Sequence, residues 1–124
     1  MDFEAEIQRE LKNYKIELIC LAGFMRVLSN SFVDSWTGKI LNIHPSLLPK
    51  YKGLNTHQRV LKNNEKMTGC SVHFVNEKLD SGEIILQKKI KIFKKDNVKS
   101  LKNRVLKEEY KLYPKSIIKI LSNY

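Results

Sequence analysis

Cysteine is scarce in this chain of 124 residues: there are two, Cys20 and Cys70. Neither belongs to a closely spaced pair, which argues against a zinc site and against a disulfide framework. Each falls in an apolar run, so both read as core thiols of a reducing compartment. Glycine (five) and proline (three) are also few. No Gly-rich loop of the kind that cradles phosphate occurs, and no Gly- or Pro-rich linker divides the chain. Long apolar runs are missing too. None approaches the roughly 20 residues that a membrane-spanning helix needs. Met1-Asp2-Phe3-Glu4 is acidic and lacks the oily core of a signal peptide, so a cytoplasmic protein with no membrane partner is expected. What remains, 42% hydrophobic and 29% charged, suits one small globular domain.

Acidic residues are outnumbered. Thirteen Asp and Glu face 23 Lys and Arg, for a net charge of +10. Such a balance raises a nucleic-acid partner as one reading. The lysines are dense from Lys88 to Lys119, however, and aromatics are not interleaved with them at regular spacing. A Lys-rich solvated surface is the simpler account, and it also attracts small anions.

The pattern along the chain alternates helix and strand. Phe3, Ile7 and Leu11 recur every four residues and predict an amphipathic helix over 2–13. The run 16–22 is almost wholly apolar and predicts a strand buried on both faces, ended by Gly23. Ser29, Asn30 and Ser31 offer caps for a short helix at 32–36. A helix is expected at 57–63. There His57, at the helix start, reads as a cap or surface residue outside any chemistry. Alternation over 69–75 predicts a strand in which His73 either faces a site or is a polar residue on a covered face. Asn76 to Lys78 turns into Leu79-Asp80-Ser81-Gly82. A long Lys-bearing strand at 83–93 belongs near a sheet edge. Asp96 and Asn97 cap a helix over 98–113, with Leu101, Val105, Leu106, Tyr110 and Tyr113 on or near one stripe. Pro114 is expected to kink or interrupt it.

The most informative stretch is Gly38 to Pro49. Ile40, Leu41 and Ile43 make a β-favouring run. Asn42 and His44 are two apart, so in a strand they share a face. Pro45 ends the ladder and holds His44 extended. An amide and an imidazole thus project from the end of an oily strand, where ligands sit in open α/β sheets. A satisfied core Asn beside a strand-end His is the plainer alternative. Asp80 has its own plain reading, since Asp-Ser-Gly is turn chemistry.

Asn42-Ile43-His44-Pro45-Ser46-Leu47-Leu48-Pro49 resembles the signature of the folate-dependent formyltransferases, and Leu79-Asp80-Ser81-Gly82 fits the later Asp of that family. Leu21 to Ser29, Ser71 to Val75 and Glu109 to Pro114 resemble three further family blocks, in consistent order from about Leu18 to Pro114. The resemblance implies an α/β fold, a three-layer sandwich with a mostly parallel central sheet. It also implies transfer of a formyl group from 10-formyltetrahydrofolate to the amine of glycinamide ribonucleotide, in purine biosynthesis, without a metal. By the same resemblance Asn42, His44 and Asp80 are catalytic, while Met25, Arg26, Val27 and Leu28, with Asn42, line the folate pocket. Glu109 matches a residue that contacts the ribonucleotide.

In that chemistry the Asn42 amide would donate to the oxyanion of the tetrahedral intermediate. An imidazolium at His44 would donate a second bond. Asp80 would keep His44 protonated and pass protons. Members of the family carry a nucleotide-type half with a phosphate-cradling loop ahead of the first strand seen here. The chain therefore reads as the C-terminal, folate-binding and catalytic part (1–124), lacking the N-terminal strands, with a complementing N-terminal half as a partner. Two other readings stay open: a fragment of a formyltransferase acting on initiator tRNA, and a non-enzymatic basic binding module. The first usually carries an Arg-Gly-Ala-Ala-Pro-like run where Lys52 to His57 stand here. Formyl-folate hydrolases tend to carry a second His in place of Pro45.

Overall fold

A computed structural model describes residues 4–5, 9, 19–22, 40–76 and 78–122. Residues 4, 5 and 9 are helical, inside the segment where the four-residue recurrence predicts a helix. The expected folate-pocket residues 25–28 and the short helix expected at 32–36 lie outside the described residues.

One sheet runs through the described part in the order β1 (Ile19–Ala22), β2 (Ile40–His44), β3 (Met67–Phe74), β4 (Ile84–Lys91). Two helices accompany it, α1 (Thr56–Lys62) and α2 (Val98–Leu121). β1 and β2 are parallel, with Ile19 opposite Ile40. β2 and β3 are antiparallel, as are β3 and β4. The described sheet is therefore mixed rather than mostly parallel. The reason lies in the connections. A parallel return needs a crossover of a dozen or more residues, and only residues 75–83 join β3 to β4. Between β2 and β3 the chain carries the short α1 and comes back antiparallel. α1 and α2 both contribute to the core on one face of this sheet.

Register sorts the side chains by face. Asn42 lies opposite His73 and His44 opposite Ser71. Directly opposed residues share a face, so these four occupy one side of the sheet. Leu41, Ile43, Cys70 and Val72 occupy the other. There they join Val60 of α1 and Leu101, Val105, Leu112 and Ile120 of α2 in one core. Leu41, Cys70, Val72, Leu101 and Val105 are fully buried. Each of these Leu and Val side chains contributes roughly 1.5–3 kcal/mol by leaving water. Cys70 is the core thiol expected of it: burial, first, and then the charges of Glu109 and Glu108 push it up to about 12.

The start of α2 is fastened twice. Asn97 and Ser100 form a reciprocal capping box, which satisfies two donors that the first helical turn leaves open. Arg104 grips the Asp96 carboxylate with Nη1 at 2.8 Å, and its guanidinium lies 4.5 Å from the centre of the Phe93 ring. Two expectations for this helix need correction. It continues through Pro114 to Leu121 without interruption. Pro114 and Tyr110, whose carbonyl loses its helical partner there, both lie on the exposed face, where water can take the vacant bond. The buried stripe is also shifted. Tyr110 is 70% exposed, and the stripe runs through Leu112, Ser116 and Ile120 instead.

Candidate active site

The segment after β2 is stitched down onto the polar face of the sheet. Ser46 is fully buried, and its Oγ donates to the Lys50 carbonyl at 2.6 Å. Ser71 Oγ donates to the Ser46 carbonyl at 2.6 Å and accepts from the Leu48 amide at 3.1 Å. Gln87, on β4 opposite Ser71, donates to the Leu48 carbonyl at 2.8 Å. Leu47 packs so closely on Gly69 that a Cβ there would stand 2.5 Å from it. These contacts explain why Pro-Ser-Leu-Leu-Pro follows the strand: the hydroxyl satisfies backbone groups that the loop would otherwise bury unpaired.

The structure brings His44 and Asp80 together. His44 Nδ1 lies 3.5 Å from Asp80 Oδ2, and both side chains are less than a tenth exposed. The other nitrogen, Nε2, meets the Tyr51 carbonyl at 2.8 Å. A carbonyl only accepts, so Nε2 carries a hydrogen and donates. Nδ1 then faces the carboxylate, and a proton on it makes both contacts attractive. At 3.5 Å that contact is long for a hydrogen bond, so Nδ1 is the nitrogen left for a substrate atom. Sequence reasoning assigned a donor role to His44 without saying which nitrogen served it.

Asp80 sits in the left-handed region at φ 47°, a conformation that Asp tolerates better than most residues. Its Oδ2 accepts from the Gly53 amide at 2.8 Å. Its Oδ1 lies 3.8 Å from His73 Nε2. His73 Nδ1 donates to the Phe74 carbonyl at 2.9 Å, so Nε2 presents its lone pair. Burial holds the His73 imidazole below its usual value, against the opposing effects of the Phe74 carbonyl and the Asp80 charge, while His44 lowers it further. His73 therefore stays neutral where an exposed histidine would begin to charge.

Asn42 lies beside this group, across from His73. Its Oδ1 is buried and has no hydrogen-bond partner, and His73 Nε2 is in the same condition. Unpaired buried polar atoms cost roughly 1–3 kcal/mol each. Two on one face of one sheet mark an edge shaped for a polar ligand group.

Glu109 lies on α2, partly buried, and burial pushes its carboxyl up to about 7. Met25, Arg26, Val27 and Leu28 lie outside the described residues. His57 is not the surface residue expected: it is half-buried, its Nδ1 has no partner, and burial, then Lys102 and His44, lower it. Among the described residues no cluster of three or more His, Cys, Asp or Glu could hold a metal ion. Sequence reasoning missed the Tyr51 carbonyl and the Gly53 amide. Only the glycine, at φ 87°, left a signal of an unusual turn.

Residues 1–117 match the profile of the formyl transferase family. The chain is 48% identical over 116 residues to the trifunctional purine biosynthetic protein adenosine-3 of Gallus gallus, covering 94% of this chain and 12% of that protein. It is 45% identical over 114 residues to the phosphoribosylglycinamide formyltransferase of Haemophilus influenzae, covering 92% of this chain and 54% of that one. The crystal structure of the Bacillus halodurans phosphoribosylglycinamide formyltransferase matches with a TM-score of 0.92 at 37% identity, over 96% of this chain and 61% of the other. The chain thus spans about half the length of its single-activity relative. The fold is the α/β fold of formyltransferases, and the chain belongs to the formyl transferase family.

Proposed function

We propose that the chain is the folate-binding and catalytic part of a phosphoribosylglycinamide formyltransferase. It would transfer a formyl group from 10-formyltetrahydrofolate to the amine of glycinamide ribonucleotide, in purine biosynthesis. The names of the relatives support this reading. The observation that carries it is the approach of Asp80 to His44 beside the open amide edge of Asn42. The three-layer sandwich and a complementing segment with a phosphate cradle belong to the proposal.

The residues divide the work by chemistry. The unpartnered Oδ1 of Asn42 accepts, so it suits an N–H of the folate or of the substrate amine, and the Nδ2 amide of the same side chain is the donor for the formyl oxygen. An amide donor there stabilises negative charge on that oxygen by roughly 3 kcal/mol. His44, held from behind by the Tyr51 carbonyl, directs Nδ1–H toward the same oxygen. Asp80 keeps a negative charge beside that imidazole and takes the proton that the amine must lose as the new C–N bond forms. The proton ends on the leaving folate nitrogen, directly or through water. His73, neutral, offers a lone pair for that relay. Met25 to Leu28 complete the folate wall by resemblance, and Glu109 is the candidate contact to the ribonucleotide.

The test is a folate-analogue titration of the chain. An assay of formyl transfer to glycinamide ribonucleotide follows, with and without a supplied N-terminal half from a relative. Binding and turnover that vanish in Asn42→Ala, His44→Ala and Asp80→Ala support the reading. Normal turnover in His44→Ala removes it.

A further inference from the structure

The site pair rests on one short segment, Tyr51 to Gly53. The Tyr51 carbonyl takes the His44 Nε2–H at 2.8 Å, and the Gly53 amide donates to Asp80 at 2.8 Å. Lys52 Nζ also reaches Ser81 Oγ, beside Asp80, at 2.8 Å. The same three residues therefore set the orientation of both His44 and Asp80. The segment itself is a turn in which only Lys52 is exposed, with Tyr51 at φ 56° and Gly53 at φ 87°, so the backbone preference of its tyrosine does not hold it. What holds it is α1. Arg59 Nη2 donates to the Lys52 carbonyl at 2.5 Å, and its guanidinium lies 5.5 Å from the centre of the Tyr51 ring. Asn63 Nδ2 donates to the Tyr51 hydroxyl at 3.1 Å.

The choice of residue is informative. Of the 23 cationic residues in this chain only four are Arg: Arg9, Arg26, Arg59 and Arg104. In a Lys-dominated chain an Arg is used where a planar fork and a stacking face matter. Arg104 meets both conditions at Asp96 and Phe93. Arg59 meets the second at Tyr51 and gives the Lys52 carbonyl one N–H, while its Nε is buried without a hydrogen-bond partner.

We propose that Arg59 is a positioning residue, which acts on formyl transfer by fixing the Tyr51–Gly53 segment and through it His44 and Asp80. It touches no reacting atom. The inference rests on the function proposed above, but its first readouts do not require turnover. A ring nitrogen's hydrogen is set by the bond the other face makes. With the Tyr51 carbonyl fixed, the neutral His44 ring carries its one hydrogen on Nε2, and Nδ1 takes a second proton only in the imidazolium that serves the reaction. Without Arg59 the carbonyl wanders and both tautomers are populated.

The experiment compares the wild-type chain with Arg59→Ala, Arg59→Lys and Asn63→Ala. Nitrogen-15 NMR of the His44 ring reads the tautomer, and amide hydrogen exchange reads Gly53. In Arg59→Ala the ring signals shift toward a tautomer mixture, and Gly53 exchanges about tenfold faster, the effect of one lost hydrogen bond. Arg59→Lys restores only part, because an ammonium keeps a donor but not the stacked fork. Asn63→Ala gives a smaller shift in the same direction, and it serves if Arg59→Ala does not fold. In the complemented assay kcat falls about tenfold while KM for the folate co-substrate is unchanged, the signature of a loss felt only in the transition state. Unchanged His44 signals and Gly53 exchange in both the Arg59 and Asn63 variants overturn the proposal. Absence of turnover in every protein, with the NMR and exchange effects intact, overturns the functional reading and leaves the positioning role standing.

Discussion

Asp80 Oδ2 stands 3.5 Å from His44 Nδ1, while the opposite edge of the same imidazole is tied to the Tyr51 carbonyl. The histidine is thus hydrogen-bonded at one edge to a neutral acceptor and faces a carboxylate at the other. Replacing Asp80 with Asn keeps the shape and keeps an oxygen for the Gly53 amide. It removes only the charge and the proton-accepting capacity. Formyl transfer by the complemented enzyme is expected to fall roughly 10²- to 10⁴-fold, the range for loss of a general base, with the circular-dichroism spectrum unchanged. A steady-state rate within threefold of wild type would take the carboxylate out of the mechanism.

Part of this was legible in the residues themselves. The two-residue period of β2 places Asn42 and His44 on one face, and Asp-Ser-Gly marks the turn that carries Asp80. Other parts depend on register across strands, which no local pattern encodes. Ser71 and Gln87 read as ordinary strand polars until pairing sets one beside the other under the Leu48 loop. Tyr51 gives no local sign of φ 56°, because tyrosine is not a residue that favours the left-handed region. Its carbonyl could not be foreseen as the anchor of His44. The antiparallel pairing of β3 and β4 was present in the nine residues 75–83, a link too short for a crossover. The family's parallel architecture took precedence over that clue.

The Asp96–Arg104 pair at the start of α2 yields a pH prediction. The Asp96 side chain is 4% exposed, covered by its own partners although the residue lies near the surface. The Arg104 hydrogen bonds, chiefly, hold its carboxyl well below the usual range, helped by the Phe93 amide and the Ser100 hydroxyl. A carboxyl lowered in the folded state contributes stability above its unfolded value, about 3.9. That contribution is lost as pH falls through the folded value. Asp96→Asn should therefore melt below wild type at pH 7, and the gap should narrow as pH drops from about 4 toward 2. Thermal melts across that interval check it. A gap that stays constant down to pH 2 would show that the charge is not what Asp96 contributes.

Glu109 behaves in the opposite sense. Burial raises its carboxyl from 4.5 to about 7, so the folded protein holds a proton that the unfolded chain has released. Stability at this position is complete below about pH 4.5 and is lost as pH rises toward 7. Glu109→Gln should match wild type near pH 4.5 and melt higher at pH 8. If Glu109 contacts the ribonucleotide, the same variant should raise KM for that substrate, a gain in stability set against function. Paired melts and kinetics at pH 8 decide both parts. A melting point lower than wild type at pH 8 would contradict the burial argument.

Gly82 links the stability of the β3–β4 hairpin to the placement of Asp80. A Cβ at residue 82 would stand 1.6 Å from the Phe74 carbonyl oxygen. That oxygen is backbone, and the Phe74 amide is bonded to the Glu83 carbonyl at 2.9 Å, so it cannot swing aside as a flexible side chain could. Gly82→Ala must open the hairpin end and carry Asp80, two residues earlier, away from His44. Overpacking of this kind costs about 1–3 kcal/mol. Gly53→Ala is the matched control. Its Cβ would meet nothing closer than Leu79 at 3.8 Å, but φ is +87°, so its cost is that of the left-handed conformation alone, roughly 1 kcal/mol. Thermal melts should rank wild type above Gly53→Ala and Gly53→Ala above Gly82→Ala. Turnover in the complemented enzyme should fall further in Gly82→Ala than its stability alone predicts, because the carboxylate moves with the turn. A Gly82→Ala protein that melts with wild type would mean that the hairpin end yields, and that Asp80 is held by the Gly53 amide rather than by the closeness of residues 74 and 82.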